Sequence, residues 1–243
     1  MHSDPATANA ACTSCALRDS PVCAALLNQS TSLQTRKAPP VRRSFGGADA
    51  RETIYFQGEA SEDAFILCVG WATRFAQFPD GRRQTLSLIL PGDPFSARLF
   101  FTPALHSSVR ALTPVRFNRV SRSDLKQALA ASPELLEALF KASTMESDAS
   151  DALLSDLGQC TSEERLARLV LRIRDRYASR HVVRESGFPF PLRHQDIADI
   201  AGLTTVHVSR VLKTFRLAGL MEISGGALTI KDMKGLERVA HRK

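Results

Sequence analysis

The stretch Gln195-Asp196-Ile197-Ala198-Asp199-Ile200-Ala201-Gly202-Leu203-Thr204-Thr205-Val206-His207-Val208-Ser209-Arg210-Val211-Leu212 holds two short helical periodicities split by one glycine. Ile197, Ala198, Ile200 and Ala201 make one face of a first helix. Gly202 fits a left-handed turn. Thr204 can cap a second helix, with Leu203 and Val208 at the two positions of a hydrophobic staple. Val208, Val211, Leu212 and Phe215 are its expected buried face. Thr205, Val206, His207, Ser209 and Arg210 are left near its exposed N-terminal part. A helix-turn-helix places such residues against base edges in the major groove. Arg210 can give two donors to guanine O6 and N7. Ser209 and Thr205 suit base edges or phosphate, and Val206 can touch a thymine methyl. Lys213 and Arg216 can approach phosphates and fix register. The expected DNA-contacting set is therefore Thr204, Thr205, Val206, His207, Ser209, Arg210, Lys213 and Arg216.

Helix-turn-helix geometry also occurs in bundles that bind no DNA. Two neighbouring features weigh against that here. Glu222 to Ile230 reads as a hairpin around Gly225-Gly226, in the position of a wing. The charge is also localised. Residues 161–243 carry 16 basic and 9 acidic residues, a surplus equal to the net +7 of the whole chain, so residues 1–160 balance. A basic module on a neutral body points to a polyanion partner, nucleic acid first.

Upstream, Thr161 and Glu164 form a capping box that should open a helix running to about Tyr177. Gly187 to Pro191 reads as a breaker. Between Pro133 and Leu157, the residues Leu135, Leu139, Ala142, Met145, Ala149, Leu153 and Leu157 recur at helical spacing. That seam can lie on the chain's own barrel or pair two copies. From Ser44 to Leu129, the runs at Thr53–Phe56, Ala64–Val69, Trp71–Phe78, Thr85–Leu90 and Val115–Val120 are separated by turn signals, as in an antiparallel roll or barrel. Asp80-Gly81 marks a hairpin. The N-terminal residues hold Cys12, Cys15 and Cys23, a short apolar stretch at Ala24–Leu27, and at most one short helix.

Composition excludes other classes. With 243 residues, 44% hydrophobic and 23% charged, the chain is neither disordered nor fibrous. No uncharged apolar run approaches the ~20 residues needed to span a bilayer. Met1 to Ala11 lacks the apolar core of a secretory signal. The five cysteines are too few for a disulfide scaffold and suit thiolate ligands or redox thiols in a reducing, cytoplasmic compartment. No enzyme is expected. Of the histidines His2, His106, His181, His194, His207 and His241, only His106 falls in the barrel region, too few for a metal oxygenase site. Neither a phosphate loop nor a nucleophile triad is present.

Barrel, long helix, capped helix, helix-turn-helix and wing together resemble the CRP/FNR superfamily of bacterial transcription regulators. The resemblance runs from about Ser44 to the C-terminus and is sharpest at Gln195–Thr204 and Val208–Leu212. Phe56-Gln57-Gly58-Glu59, Gly70, Asp80-Gly81 and Pro91-Gly92-Asp93 extend it into the barrel. It implies an α+β fold: an N-terminal extension (1–43), a β-roll (double-stranded β-helix) sensor domain (44–130), a long dimerisation helix (131–160) and a winged helix-turn-helix domain (161–243). It further implies a homodimer on a pseudo-palindromic double-stranded DNA operator, working with RNA polymerase and with no membrane partner.

Two departures from the family pattern matter. Where the recognition helix usually carries a glutamate four residues before its arginine, this chain has Val206, so the acceptor for cytosine N4 is missing. The cyclic-AMP signature is also broken. Ser96-Ala97 stands where Gly-Glu is usual, and Leu105-His106-Ser107-Ser108 replaces the phosphate-gripping Arg-Ser pair. Arg98 or Arg110 would have to supply the charge, and cyclic AMP is not expected to bind.

Cys12, Cys15 and Cys23 resemble the N-terminal ligands of FNR-type oxygen sensors, which hold a [4Fe–4S] cluster with a fourth barrel cysteine. That place reads Thr113-Pro114-Val115-Arg116-Phe117 here, and Cys68 is the only barrel cysteine. Three readings stay open. The first is a cluster on Cys12, Cys15, Cys23 and Cys68. The second is thiol redox sensing, or zinc held by the trio and another ligand. In the third, the motif is vestigial and Cys68 and Cys160 are small buried hydrophobes. The expected function is oxygen- or redox-responsive regulation. The alternatives are a regulator of the same fold answering another small ligand, and a cyclic-nucleotide sensor acting through protein partners.

Overall fold

Short apolar runs closed by turns form seven strands in the first half of the chain: β1 (Arg43–Ala48), β2 (Thr53–Tyr55), β3 (Asp63–Val69), β4 (Ala72–Gln77), β5 (Arg83–Ile89), β6 (Ser108–Ala111) and β7 (Val115–Ser121). This computed structural model describes residues 17–18, 20–31, 41–179 and 187–241. Contacts divide the chain into two units, Met1–Gly81 with Ser87–Ala149, and Arg82–Leu86 with Ser150–Lys243.

The seven strands make two sheets, ordered β1-β7-β3 and β2-β6-β4-β5. Partners far apart in sequence pair antiparallel, with Arg43 opposite Val120 and Ala72 opposite Ala111. That is the roll expected from the turn spacing. β4 and β5 are neighbours around Asp80-Gly81, as the hairpin signal required. β1 and β6 were not legible in the sequence: β1 is Arg-Ser-Phe-Gly-Gly-Ala, whose adjacent glycines carry no strand preference. The core is aromatic at its centre. The Phe65 and Phe95 rings stack at 5.3 Å, and Phe117 meets both edge-on. Three helices close this core. Helix α1 (Pro21–Thr31) contributes Val22 and Leu26, and α2 (Arg122–Ala131) contributes Leu125 and Ala128. Helix α3 (Pro133–Gln159) contributes Leu135 and Leu139. Helix α2 was not expected. It follows β7 directly, opened by the Ser121 side chain accepting from the Asp124 N–H.

The long seam divides into three. Leu135, Leu139 and Ala142 lie against the roll's own core, whereas Met145 and Ala149 are exposed and Leu153 and Leu157 are half-buried. The large apolar side chains left uncovered on α3 are Leu136, Phe140, Met145 and Leu154. Leu136 and Leu154 are 18 residues apart, about five full turns, and Phe140 lies one turn from Leu136. These three share a face that the sequence seam did not contain.

The second unit carries the end of α3, then α4 (Ser162–Ala178), β8 (Phe188–Pro189), α5 (His194–Ala201), α6 (Thr205–Leu217), the hairpin β9 (Met221–Ser224) and β10 (Ala227–Ile230), and α7 (Met233–Ala240). The Thr161–Glu164 capping box is present, with the Thr161 N–H donating to Glu164 Oε2 at 2.7 Å. β8 corrects the breaker reading. Phe188 pairs with Leu228 and Pro189 with Ala227, so the segment forms a short edge strand on the hairpin, where proline is tolerated.

Polar contacts pin the start of this unit. Asp156, 1% exposed, pairs with Arg168 at 3.0 Å and with Arg172. Arg165 donates to three carbonyls: Nε to Cys160 at 2.9 Å, Nη2 to Leu157 at 2.9 Å and Nη1 to Ala201 at 3.1 Å. One guanidinium thus satisfies the ends of both α3 and α5. Arg165→Met keeps the aliphatic stem and removes the donors. It should cost about 3–5 kcal/mol, less than the sum of three charge-assisted bonds worth ~1.5–3 kcal/mol each, because the freed carbonyls regain some water. Amide exchange in α5 should accelerate accordingly, and unchanged protection there would show that the three bonds do not hold the element.

Candidate nucleic-acid interface

The interface is built on the turn after α5. The Arg193 N–H donates to Asp196 Oδ2 at 2.8 Å, which fixes the start of α5. Ile197, Ala198, Ile200 and Ala201 are all buried. Gly202 then takes φ +64° and ψ +41°, the left-handed end the sequence required. A side chain there would also meet Leu157 Cδ2 at 2.9 Å. Thr204 caps α6, its side chain accepting from the His207 N–H at 3.2 Å.

The buried face of α6 is Val208, Val211 and Phe215, at 0, 1 and 2% exposure, and Leu212 is only partly buried at its margin. The opposite side presents Val206, Ser209, Arg210, Lys213 and Arg216, all exposed, with Thr204 at the cap. Thr205 is half-buried. His207 is committed elsewhere: its Nε2 lies 2.9 Å from Ser162 Oγ at the start of α4. Spacing put His207 near the exposed end of the helix, but α4 comes close enough to take the imidazole. That contact links α6 to α4 and leaves the imidazole half-buried. Val206 stands 68% exposed, an apolar side chain with nothing over it.

Next to this surface, Gly225 and Gly226 at φ +58° and +77° make the tight turn between β9 and β10, both positive as a two-residue hairpin demands.

The cysteines lie elsewhere. Cys12 and Cys15 fall outside the described residues. Cys23 on α1 and Cys68 on β3 line one pocket, together with Leu17, Arg18, Leu26, Arg43, Ile66 and Asn118. Cys68 sits where the β3–β7 register slips, between the pairs Leu67 with Phe117 and Val69 with Arg116. Both cysteines are half-buried. Cys160 is apart from them, at the end of α3, its Sγ 3.9 Å from Asp156 Oδ1. Sequence spacing could not show that Cys23 and Cys68 share a pocket, because the strand and the helix are brought together only by the fold.

Comparison with known proteins gives two family matches, a Crp-like helix-turn-helix domain over residues 164–239 and a cyclic nucleotide-binding domain over residues 48–132. A probable transcriptional activator of Rhizobium leguminosarum bv. viciae is 30% identical over 230 residues, covering 94% of this chain and 92% of its own. The nitrogen fixation regulation protein FixK of Bradyrhizobium diazoefficiens is 26% identical over 230 residues, covering 94% and 93%. Among solved structures, FixK2 from Bradyrhizobium japonicum superposes with a TM-score of 0.75 at 24% identity, covering 83% of this chain and 98% of the other.

Proposed function

We propose, starting from the fact that this chain belongs to the CRP/FNR superfamily of DNA-binding transcription regulators, that it works as a cytoplasmic homodimer on a pseudo-palindromic operator and answers a redox signal through its cysteines. Regulation of transcription rather than catalysis is its role. No helix among the described residues is long and apolar enough to cross a membrane.

One observation carries the DNA reading: the exposed side of α6 presents Ser209, Arg210, Lys213 and Arg216 in line, next to the β9–β10 hairpin. Arg210 reads guanine, and Lys213 and Arg216 hold phosphates. Thr204 and Thr205 serve the phosphate or base edges at the helix start. Val206 packs on a thymine methyl, burying apolar surface that the free protein leaves in water. Dimerisation is supported by Leu136 and Phe140 on α3, which the first unit leaves uncovered. Two such helices would set paired recognition helices about one DNA turn apart. RNA polymerase is the expected partner of the bound dimer.

The sensing proposal rests on the pocket of Cys23 and Cys68. A thiol from helix and a thiol from sheet in one pocket are two of the four ligands a [4Fe–4S] cluster would need, and Cys12 and Cys15 would complete the set. The cluster would supply one-electron and oxygen chemistry to a site whose only duty is to hold it.

Arg210→Ala should weaken operator binding by about 1–3 kcal/mol and relax preference at one base pair. Lys213→Ala should weaken all sequences alike and lower the salt slope by ~1. Mobility-shift titrations at two salt concentrations separate the two, and parental affinity in Arg210→Ala would show that α6 is not in the groove as assigned. For the cysteines, protein purified without oxygen should carry iron and sulfide and absorb near 400 nm, and Cys68→Ser should lose most of both. A colourless, iron-free parent removes the cluster, and full loading of Cys68→Ser removes Cys68 from it.

A further inference from the structure

Glu146 lies midway along α3, on the side turned to the roll. Its Oε1 accepts from Ser96 Oγ at 2.9 Å, and its Oε2 accepts from the Ala97 N–H at 2.9 Å. Arg74 Nη2 on β4 is 2.7 Å from Oε1. Ser96 and Arg74 are 1% and 9% exposed. Arg74 also donates through Nε to Ser87 Oγ at 3.3 Å, which orients the guanidinium. Burial lowers the Arg74 pKa from its ordinary value, the Glu146 charge works against that, and the Arg98 charge adds to the lowering.

A guanidinium, a hydroxyl and a backbone N–H converging on two oxygens are the donor set by which proteins hold a carboxylate or phosphate. Here they come from β4 and from the segment after β5, while the oxygens come from a third element, the long helix. Without those oxygens, the cation and two donors would be left buried and unpaired, a costly state. The pocket needs an anion, and the chain provides one.

We propose that Glu146 is a built-in ligand: its carboxylate occupies the oxyanion pocket made by Arg74, Ser96 and the Ala97 N–H, and so locks α3 onto the roll in place of a diffusible anion. Any effector anion reaching this pocket must first displace Glu146, and displacement unlocks the helix. An ion pair that merely neutralises Arg74 would show neither recognition of a free carboxylate nor an effect on DNA binding.

Chemical rescue separates these cases. In the full chain, Glu146→Ala should lower the Tm by about 5 °C or more. Sodium acetate should then raise it saturably, whereas sodium chloride at equal ionic strength should not. The parent should respond to both salts alike, and Arg74→Met/Glu146→Ala should lose the acetate effect. Operator affinity of Glu146→Ala should shift by about fivefold or more and return toward the parent value in acetate. Equal stabilisation of parent and variant by acetate overturns the proposal, as does a variant with parental melting and parental operator affinity. Should Glu146→Ala fail to fold, Glu146→Gln decides, since it keeps the shape and loses the charge: parental melting and parental operator affinity there also overturn it. The operator readout rests on the DNA-binding reading. A parent that binds no duplex would refute that reading alone, and the acetate melting series would still decide the built-in ligand.

Discussion

The three carbonyls gathered by Arg165 set where the recognition helix can be. Leu157 and Cys160 end the long helix, Ala201 ends the first helix of the helix-turn-helix, and Arg165 stands on α4 between them. Helix ends expose carbonyls that must find donors. A single planar guanidinium with several fixed donors can satisfy more than one end at once, which a lysine could not do with the same geometry. The Asp156 pairs with Arg168 and Arg172 tie the end of α3 to α4 one turn away, and the contact of His207 with Ser162 ties α6 to the start of α4. The exposed row of α6 is thus presented by a frame of polar contacts as well as by its apolar face.

The long helix does different work along its length. Its first turns are part of the roll's core through Leu135 and Leu139. Its middle turns give Glu146 to a buried cation. Its last turns give Asp156 and two carbonyls to the DNA-binding unit. A helix committed on one side to its own domain leaves its other side uncovered, and Leu136 and Phe140 stay exposed there. The roll keeps the family architecture, and the Ser96 hydroxyl and Ala97 N–H in it are used by the chain's own carboxylate.

Much of this was legible from local chemistry. Gly202 could be read because a left-handed helix end tolerates little else. Thr161 with Glu164, and Thr204, could be read because caps act over three or four residues. The Gly225-Gly226 turn and the strand runs around Asp80-Gly81 announce themselves in the same short-range way. The strand β1 and the helix α2 were missed because neither carries such a mark: β1 is held by register with β7, and α2 has a weak apolar face beginning directly at a strand end. The seam on α3 was read as one stripe because periodicity shows which residues share a face, not what that face meets.

By itself, then, the sequence determined the helix-turn-helix, its caps and the hairpin turn after it, the localisation of positive charge in that unit, most strands of the roll, and the side of α6 that carries Ser209, Arg210, Lys213 and Arg216. These depend on interactions between residues a few positions apart. Only the tertiary structure decided that His207 turns to Ser162, that Cys23 and Cys68 share a pocket, and that Glu146 meets Arg74 and Ser96. Those partners are separated by about fifty residues or, for Glu146 and Arg74, by more. Their encounter is set by packing of the cores, and no local pattern of charge or hydrophobicity records it.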